Sequence, residues 1–149
     1  MTGYSYRIPK YPVAPGTKPD KKDMEVATAW KIKSMITQPE AEHMLKGPGK
    51  LQISGHAWAG EDDVSKVEIS TDYGNSWQKA KLAPAKNKYA WQTFTAETNF
   101  KDRGYYEVWA RATDDKGNAQ PFRQEWNPKG YLGNVIHRIP VFVGISANG

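Results

Sequence analysis

The chain has 149 residues, 12% of them aromatic, and a formal net charge of +5 at pH 7. This length suits one domain with a tail, and the many Trp, Tyr, Gly and Pro residues favour strands and turns. The sequence has no cysteine, no apolar run of membrane-spanning length and no dense basic block, which excludes disulfides, thiolate metal sites and a membrane span and argues against nucleic acid as a partner.

The first 25 residues are rich in proline and are predicted to be an extended linker. Prolines prevent a continuous helix and cannot sit in a central strand. They recur every three or four residues, at Pro9, Pro12, Pro15 and Pro19. We expect residues 1–25 to be a linker leaving another domain and residues 26–149 to form the folded domain.

Short segments of alternating apolar and polar residues follow, and turn-forming residues separate them. These segments are predicted to be strands and lie at 29–37, 50–58, 67–69, 78–82, 89–95, 105–113 and 138–144. No segment of helical length shows a 3.6-residue period. The pattern of about seven short strands therefore predicts an all-β sandwich with an extended Pro-rich N-terminal segment.

The alternation also predicts which side chains point into the sandwich. The inward positions are predicted to be Trp30, Ile32, Ser34 and Ile36, then Leu51, Ile53, Gly55 and Ala57, then Val67, Ile69, Ala80 and Leu82, and finally Tyr106, Val108, Ala110, Ala112, Ile139, Val141 and Val143. Trp58, Tyr105 and Trp109 are predicted to lie on outer faces.

The octapeptide Ser70–Trp77 has the pattern S-x-D-x-G-x-S-W, which is an Asp-box. Asp72 is predicted to accept hydrogen bonds from backbone amides of a hairpin turn, and Gly74 to supply a positive φ. Trp77 is predicted to fold under the turn into the core. Asp-boxes occur in sialidase-type propellers and as isolated hairpins in sandwiches, and the single copy here favours a sandwich.

The charged and titratable residues show no convincing catalytic pattern. His43 is predicted to lie in a loop, His56 on a strand and His137 at the start of the last strand. None of them pairs at metal-ligand spacing, so structural roles are favoured and no metal site is predicted. The pairs Asp62-Asp63 and Asp114-Asp115 are predicted to be solvated turn residues.

The segment 126–139 combines aromatic, amide and basic residues. Two interpretations are open: a packed loop that bridges the last two strands, or a loop whose Lys129, Asn134 and Arg138 face an anion or a partner domain. For Arg138, an ion pair holding this loop to the sandwich is an equal alternative. The other residues predicted to shape this tail loop are Trp126, Asn127 and His137.

Five blocks, covering about residues 24–143, resemble the C-terminal dimerisation domain of molybdenum sulfite oxidases and sulfite dehydrogenases. The most specific block is the tail W-N-x-[RK]-G-x-x-x-N-x-x-H-R-[IV]. The others begin at Trp30, Ile53, Val67 and Ala110. The resemblance implies an immunoglobulin-like sandwich of the E-set type that follows a molybdopterin-binding domain and forms most of a homodimer contact.

The resemblance also implies how this chain contributes to an oxidoreductase. Molybdenum-molybdopterin would be bound outside this chain, since its metal ligand in the family is a cysteine of the larger domain. The chain would hold no cofactor and have no catalytic residue of its own. In the family an arginine of the tail motif reaches toward the anionic substrate, and Lys129 stands at that position. Lysine keeps the charge without the bidentate fork, so another sulfur substrate stays open.

The predicted substrate-binding residues are accordingly Lys129 and, in a supporting role, Arg138. A homodimer, a molybdopterin-binding domain and a cytochrome c electron acceptor are the expected partners, and a periplasmic location is expected although no signal peptide is present. The alternative function is an independent immunoglobulin-like carbohydrate- or protein-binding module, with Trp58, Tyr105 and Trp109 as its platform.

Overall fold

The computed structural model of the chain describes residues 7–9, 11–14, 16, 18–26, 31–87, 90–123 and 134–145. A single 3₁₀ turn, Lys21–Asp23, and eleven strands lie within these ranges. The strands are β1 Arg7–Pro9, β2 Met24–Val26, β3 Lys33–Gln38, β4 His43–Leu45, β5 Gly49–Trp58, β6 Val64–Ser70, β7 Gln78–Lys79, β8 Lys81–Leu82, β9 Gln92–Phe100, β10 Gly104–Asp114 and β11 His137–Val143.

Nine of the described strands form the two sheets of a sandwich, which confirms the predicted all-β, immunoglobulin-like fold. One sheet has the order β4-β11-β10-β6-β7, and the other has the order β3-β5-β9-β8. All pairings within them are antiparallel except that of β4 with β11, which is parallel. The sandwich has two strands more than the sequence predicted.

The first additional strand comes from a segment that crosses between the sheets. The run 78–82, predicted to be one strand, forms β7 in the five-stranded sheet and β8 in the four-stranded sheet. Ala80 lies at the crossing, is 5% exposed and donates its amide to the carbonyl of Val67 at 2.8 Å. A small side chain suits this position because both sheets pack around it.

The second additional strand is β4, which contains His43. The prediction that His43 lies in a loop is wrong, because residues 43–45 pair with Val141–Val143 along the edge of the five-stranded sheet. A three-residue edge strand carries too few residues to show an alternation of period two. His56 lies on β5 and His137 begins β11, as predicted.

The core lies between the sheets and is formed mainly by the inward residues predicted from alternation, with Leu82 and Tyr106 only partly buried against it. Trp30, also predicted to point inward, lies outside the described residues. The most buried side chains include Ile53, Val67, Phe94, Val108, Val141 and Val143, each at most 2% exposed. Gly55 is required there, because a Cβ at this position would meet the backbone oxygen of Met35 at 2.1 Å and the ring of Phe94 at 2.5 Å. Met35 lies on β3 and Phe94 on β9, the two strands that flank β5, so neighbours within the four-stranded sheet leave no room for a side chain at this position.

Before the sandwich, β1 and β2 pair as a two-stranded antiparallel ribbon, with Arg7 opposite Val26. This ribbon lies within the segment predicted to be a linker. The boundary at residue 25 stays a prediction.

Candidate functional site

Gln120 is the centre of a buried hydrogen-bond network that joins the two sheets to the tail. Its Oε1 accepts from the Ser34 hydroxyl at 2.5 Å and from the Ala112 amide at 2.8 Å. Its Nε2 donates to the backbone carbonyls of Asn134 at 3.0 Å and Val135 at 3.1 Å. Ser34 is on β3 and Ala112 on β10, so one side chain holds both sheets and the start of the last segment together.

His137 makes a second connection between the sheets. Its Nδ1 accepts a hydrogen bond of 2.9 Å from the backbone amide of Ile36 on β3. Burial lowers the pKa of the imidazole, and the nearby positive charge of Lys33 lowers it further. An acceptor at Nδ1 requires that this nitrogen carries no proton, so the contact favours the neutral ring.

Some of the tail residues predicted from the sequence lie within the described ranges, and others lie outside them. Trp126, Asn127 and Lys129 lie outside the described residues. Asn134 is 5% exposed, and its side-chain Oδ1 has no hydrogen-bond partner among the residues that the structure describes. Its backbone carbonyl binds Gln120, so Asn134 contributes to the network described above.

Arg138 contacts two aromatic rings on the outer face of the five-stranded sheet. Its guanidinium carbon is 4.4 Å from the ring centre of Trp109 and 4.7 Å from that of Phe122. The same group donates to the Phe122 carbonyl at 2.7 Å. Arg138 therefore fixes the chain at residue 122, where the segment toward the tail motif begins, and it does so through a carbonyl and two rings.

Trp109 faces outward, as predicted, but it is buried. It is 3% exposed because Phe122, Tyr73 and Arg138 surround it, and its Nε1 donates to Glu107 at 2.7 Å. Trp58 lies on the other sheet, where it stacks on Trp91 with ring centres 4.0 Å apart. The platform of Trp58, Tyr105 and Trp109 suggested by the sequence is therefore wrong, because Trp58 lies on the four-stranded sheet and the other two lie on the five-stranded sheet.

The Asp-box forms the turn between β6 and β7. Asp72 Oδ1 accepts from the Ser76 amide and the Ser70 hydroxyl, both at 2.8 Å, and Oδ2 accepts from the Ser76 hydroxyl. Hydrogen bonds from the Ser76 hydroxyl and amide hold the pKa of Asp72 below its usual value. Gly74 has a φ of 82°, and a Cβ there would lie 3.1 Å from the Trp109 ring.

Trp77 lies outside the core, so the prediction that it anchors the hairpin in the core is wrong. It is half-buried on the outer face of the five-stranded sheet, with the Arg111 guanidinium carbon 3.9 Å from its ring centre. Arg111 also binds Glu68 at 2.9 Å. Burial opposes ionisation of Glu68, but hydrogen bonds from Arg111 and Lys66 outweigh it and lower the pKa of this carboxyl.

The two aspartate pairs lie at turns, but Asp114 is the last residue of β10 and is buried, so the prediction that it is a solvated turn residue is wrong. Asp114 is 5% exposed and caps its own turn, since Oδ1 accepts from the amides of Lys116 at 3.0 Å and Asn118 at 2.8 Å. No group of three or more potential metal ligands was found among the residues that the structure describes. None of the helices in that part of the chain is long and apolar enough to span a membrane.

Comparisons with known proteins identify the family of this chain. Residues 24–144 match the Mo-co oxidoreductase dimerisation domain. The chain belongs to this family. It is 31% identical over 127 residues to the mitochondrial sulfite oxidase of Drosophila melanogaster and 33% identical over 121 residues to that of Mus musculus. These matches cover 76% and 75% of this chain, and 22% of each relative.

Two further relatives extend the comparison. The inducible nitrate reductase [NADH] 2 of Glycine max is 35% identical over 121 residues, which cover 72% of this chain and 14% of that enzyme. The crystal structure of the sulfane dehydrogenase SoxCD from Paracoccus pantotrophus superposes with a TM-score of 0.69 and 25% identity, covering 85% of this chain and 34% of that one. The chain thus spans about a fifth of the length of the sulfite oxidases it matches, and it contains a Mo-co oxidoreductase dimerisation domain.

Proposed function

We propose that this domain pairs two copies of a molybdenum oxidoreductase and packs against the domain that binds the molybdenum cofactor. The observation that carries the proposal is the family match across residues 24–144. The exposed aromatic side chains outside the five-stranded sheet support it, because large exposed apolar areas are typical of interfaces. Both sulfite oxidase and sulfane dehydrogenase are named for sulfur substrates, which favours a sulfur compound as the substrate of the whole enzyme.

The cofactor of such an enzyme is assigned to another domain on chemical grounds. The sequence of this chain contains no cysteine and therefore offers no thiolate to molybdenum. We infer that molybdopterin is held outside residues 1–149 and that this domain makes no catalytic contribution alone. The electron acceptor expected from the sequence, a cytochrome c, and the periplasmic location stay predictions.

Sedimentation equilibrium of the chain tests the pairing directly. From about 1 μM to about 1 mM, we expect a reversible dimer, since interfaces that hold obligate homodimers are large and apolar. A strict monomer across this range, which also fails to bind a molybdopterin-binding domain in calorimetry, would refute the proposal. The mass of one chain, 16.8 kDa, is the reference for the monomer.

We also propose that Lys129 places a positive charge near the anionic substrate. Its support is the match of its position to the tail motif, together with the attachment of the described residues on both sides of Lys129. Arg138 holds the Phe122 carbonyl, and Gln120 holds the Asn134 carbonyl. Two well-fixed flanks position a loop more accurately than free ends would.

Kinetics of the enzyme assembled with its molybdopterin domain test this second proposal. Replacing Lys129 with alanine removes the charge, so we expect KM for the anion to rise by about tenfold while kcat changes less. Lys129→Arg is the matched control and should restore KM, because arginine supplies the same charge with a bidentate fork. An unchanged KM in Lys129→Ala would refute the substrate-binding role of Lys129 without affecting the proposed pairing role.

A further inference from the structure

The side chains on the outer face of the five-stranded sheet are arranged in rows across its strands. Met44 on β4 pairs with Phe142 on β11, which pairs with Tyr105 on β10. Further along the same face, Arg138 pairs with Trp109. Tyr105 and Phe142 are in edge contact at 5.3 Å, so the first row is a continuous apolar band.

This band continues into a larger exposed surface that we call the aromatic face. It is defined by Met44, Tyr73, Tyr105, Trp109, Phe122 and Phe142. Four of these side chains are strongly exposed: Met44 by 58%, Tyr73 by 51%, Tyr105 by 45% and Phe122 by 52%. Aromatic residues and methionine are enriched at interface cores, so this composition fits a protein contact rather than a solvated sheet.

The outer face of the four-stranded sheet differs in charge, although it also carries Trp58 stacked on the exposed Trp91, and we call it the lysine face. Lys33, Lys50 and Lys81 point outward there, whereas Glu97 is the acidic residue on its strands and is paired with Lys50 at 2.9 Å. Two copies meeting through this face would bring uncompensated positive charges together. Such like-charge contacts are unfavourable, so the lysine face is a poor surface for self-association.

The aromatic face, in contrast, carries charges that suit a second copy of itself. Glu107 accepts hydrogen bonds from Trp109 and Tyr105, and Arg138 stacks on rings, so neither forms an ion pair with another residue in the described ranges. They lie close together, since Glu107 pairs with Pro140 and Trp109 pairs with Arg138. In a two-fold dimer each contact occurs twice, so Glu107 of each copy can meet Arg138 of the other.

We propose that the aromatic face is the surface through which two copies of this chain associate, and that the lysine face stays outside that contact. This inference rests on the proposed pairing function and names the surface that performs it. The apolar band from Met44 to Tyr105 forms the centre of the interface, and Glu107 and Arg138 supply its charge complementarity. The exposed rings then lose contact with water on association, which is the main source of binding free energy.

Two methionines provide a matched test, one on each face. Met44 is 58% exposed on the aromatic face, and Met35 is 37% exposed beside the lysine face. In sedimentation equilibrium, Met44→Lys should weaken the dimer by at least about tenfold, and Met35→Lys by less than about twofold. A wild-type dimer disrupted by Met35→Lys alone, or by neither variant, overturns the face assignment but leaves the pairing function standing. A monomeric wild type overturns the pairing function itself.

Oxidation of the unsubstituted chain gives a second readout that does not depend on how the variants fold. Dilute hydrogen peroxide converts accessible methionine to its sulfoxide, and peptide mass spectrometry gives the rate at each position. Raising the chain concentration through the dimerisation range should slow oxidation of Met44 and leave Met35 unchanged. Equal protection of both, or protection of Met35 alone, would overturn the proposal even if Met44→Lys is poorly folded.

Discussion

Gln120 and Asp72 each bind several groups through one side chain, but they do so in opposite surroundings. Gln120 is 3% exposed and binds groups on β3, on β10 and at the start of the tail. Asp72 lies near the surface and binds Ser70 and Ser76, which are two and four positions away. Gln120 therefore connects distant parts of the chain, whereas Asp72 shapes one turn.

The difference shows that the buried polar side chain connects distant segments of the domain, whereas the exposed one shapes a single turn. A buried polar group without a partner costs much more than an exposed one, because water cannot replace the lost hydrogen bond. The Ser34 hydroxyl and the Ala112 amide are buried, so water cannot replace Gln120 as their hydrogen-bond acceptor. Ser76 can turn to solvent if Asp72 is lost, since it is exposed. The two sites should therefore differ in their contributions to stability.

Replacing Gln120 with leucine tests the larger of these contributions. The side chain keeps its approximate size but loses all four hydrogen bonds, which leaves the Ser34 hydroxyl and the Ala112 amide unpaired in the interior. We expect the free energy of unfolding to fall by about 3–5 kcal/mol. Urea denaturation followed by tryptophan fluorescence measures this change.

Gln52→Leu is the matched control, because Gln52 is an exposed glutamine whose amide donates to Glu97 on the surface. Its replacement should change the free energy of unfolding by less than about 0.5 kcal/mol. Equal losses in the two variants would contradict a central role for the Gln120 network.

Replacing Asp72 with alanine tests the smaller, local contribution. The turn loses the acceptor for the Ser70 hydroxyl and for two groups of Ser76, so we expect a loss of about 1–2 kcal/mol at neutral pH. Asp115→Ala, at an exposed aspartate in another turn, should cost less than about 0.5 kcal/mol.

The pH dependence gives Asp72 a distinct signature. Its pKa in the folded chain is lowered, chiefly by Ser76, so its stabilising effect is complete above the unfolded pKa of about 3.9 and is lost as the pH falls through the folded value. The difference in unfolding free energy between wild type and Asp72→Ala should therefore shrink from about pH 7 to about pH 2. A difference independent of pH would refute a charge-assisted turn.

These two sites also show what the sequence could reveal. The Asp72 turn was predictable because its donors lie within four positions and turn chemistry is local. The Gln120 network was not, since Ser34 is 86 positions away and a polar residue after a strand gives no sign of burial.

Side chains on the outer faces were harder still to place. Alternation correctly put Trp109 outside the sheet, yet its burial depends on Phe122 and Arg138, which come from other parts of the chain. Trp77 was predicted to fold under the Asp-box turn into the core, whereas Arg111 provides it with a cation–π partner on the outer face of the sheet. Period-two alternation gives the face of a sheet but does not say what covers it.

His137 combines the properties of the two sites compared above, because it titrates like Asp72 and makes a distant contact like Gln120. Its Nδ1 accepts from the Ile36 amide, 101 positions away. Burial and Lys33 lower its folded pKa below the ordinary value of 6.5. The unfolded chain therefore binds more protons below that pH, so the stabilising effect is complete above it and declines as the pH falls toward the folded pKa.

We expect this effect to be the smallest of the three, and the variant His137→Asn isolates it. Asparagine places an acceptor oxygen near the position of Nδ1 but does not titrate in this range. Between about pH 8 and about pH 5, the urea midpoint of the wild type should fall further than that of His137→Asn. Parallel pH profiles would show that protonation of His137 does not loosen the contact between β3 and β11, and the Gln120 network would then be the principal polar connection between the sheets.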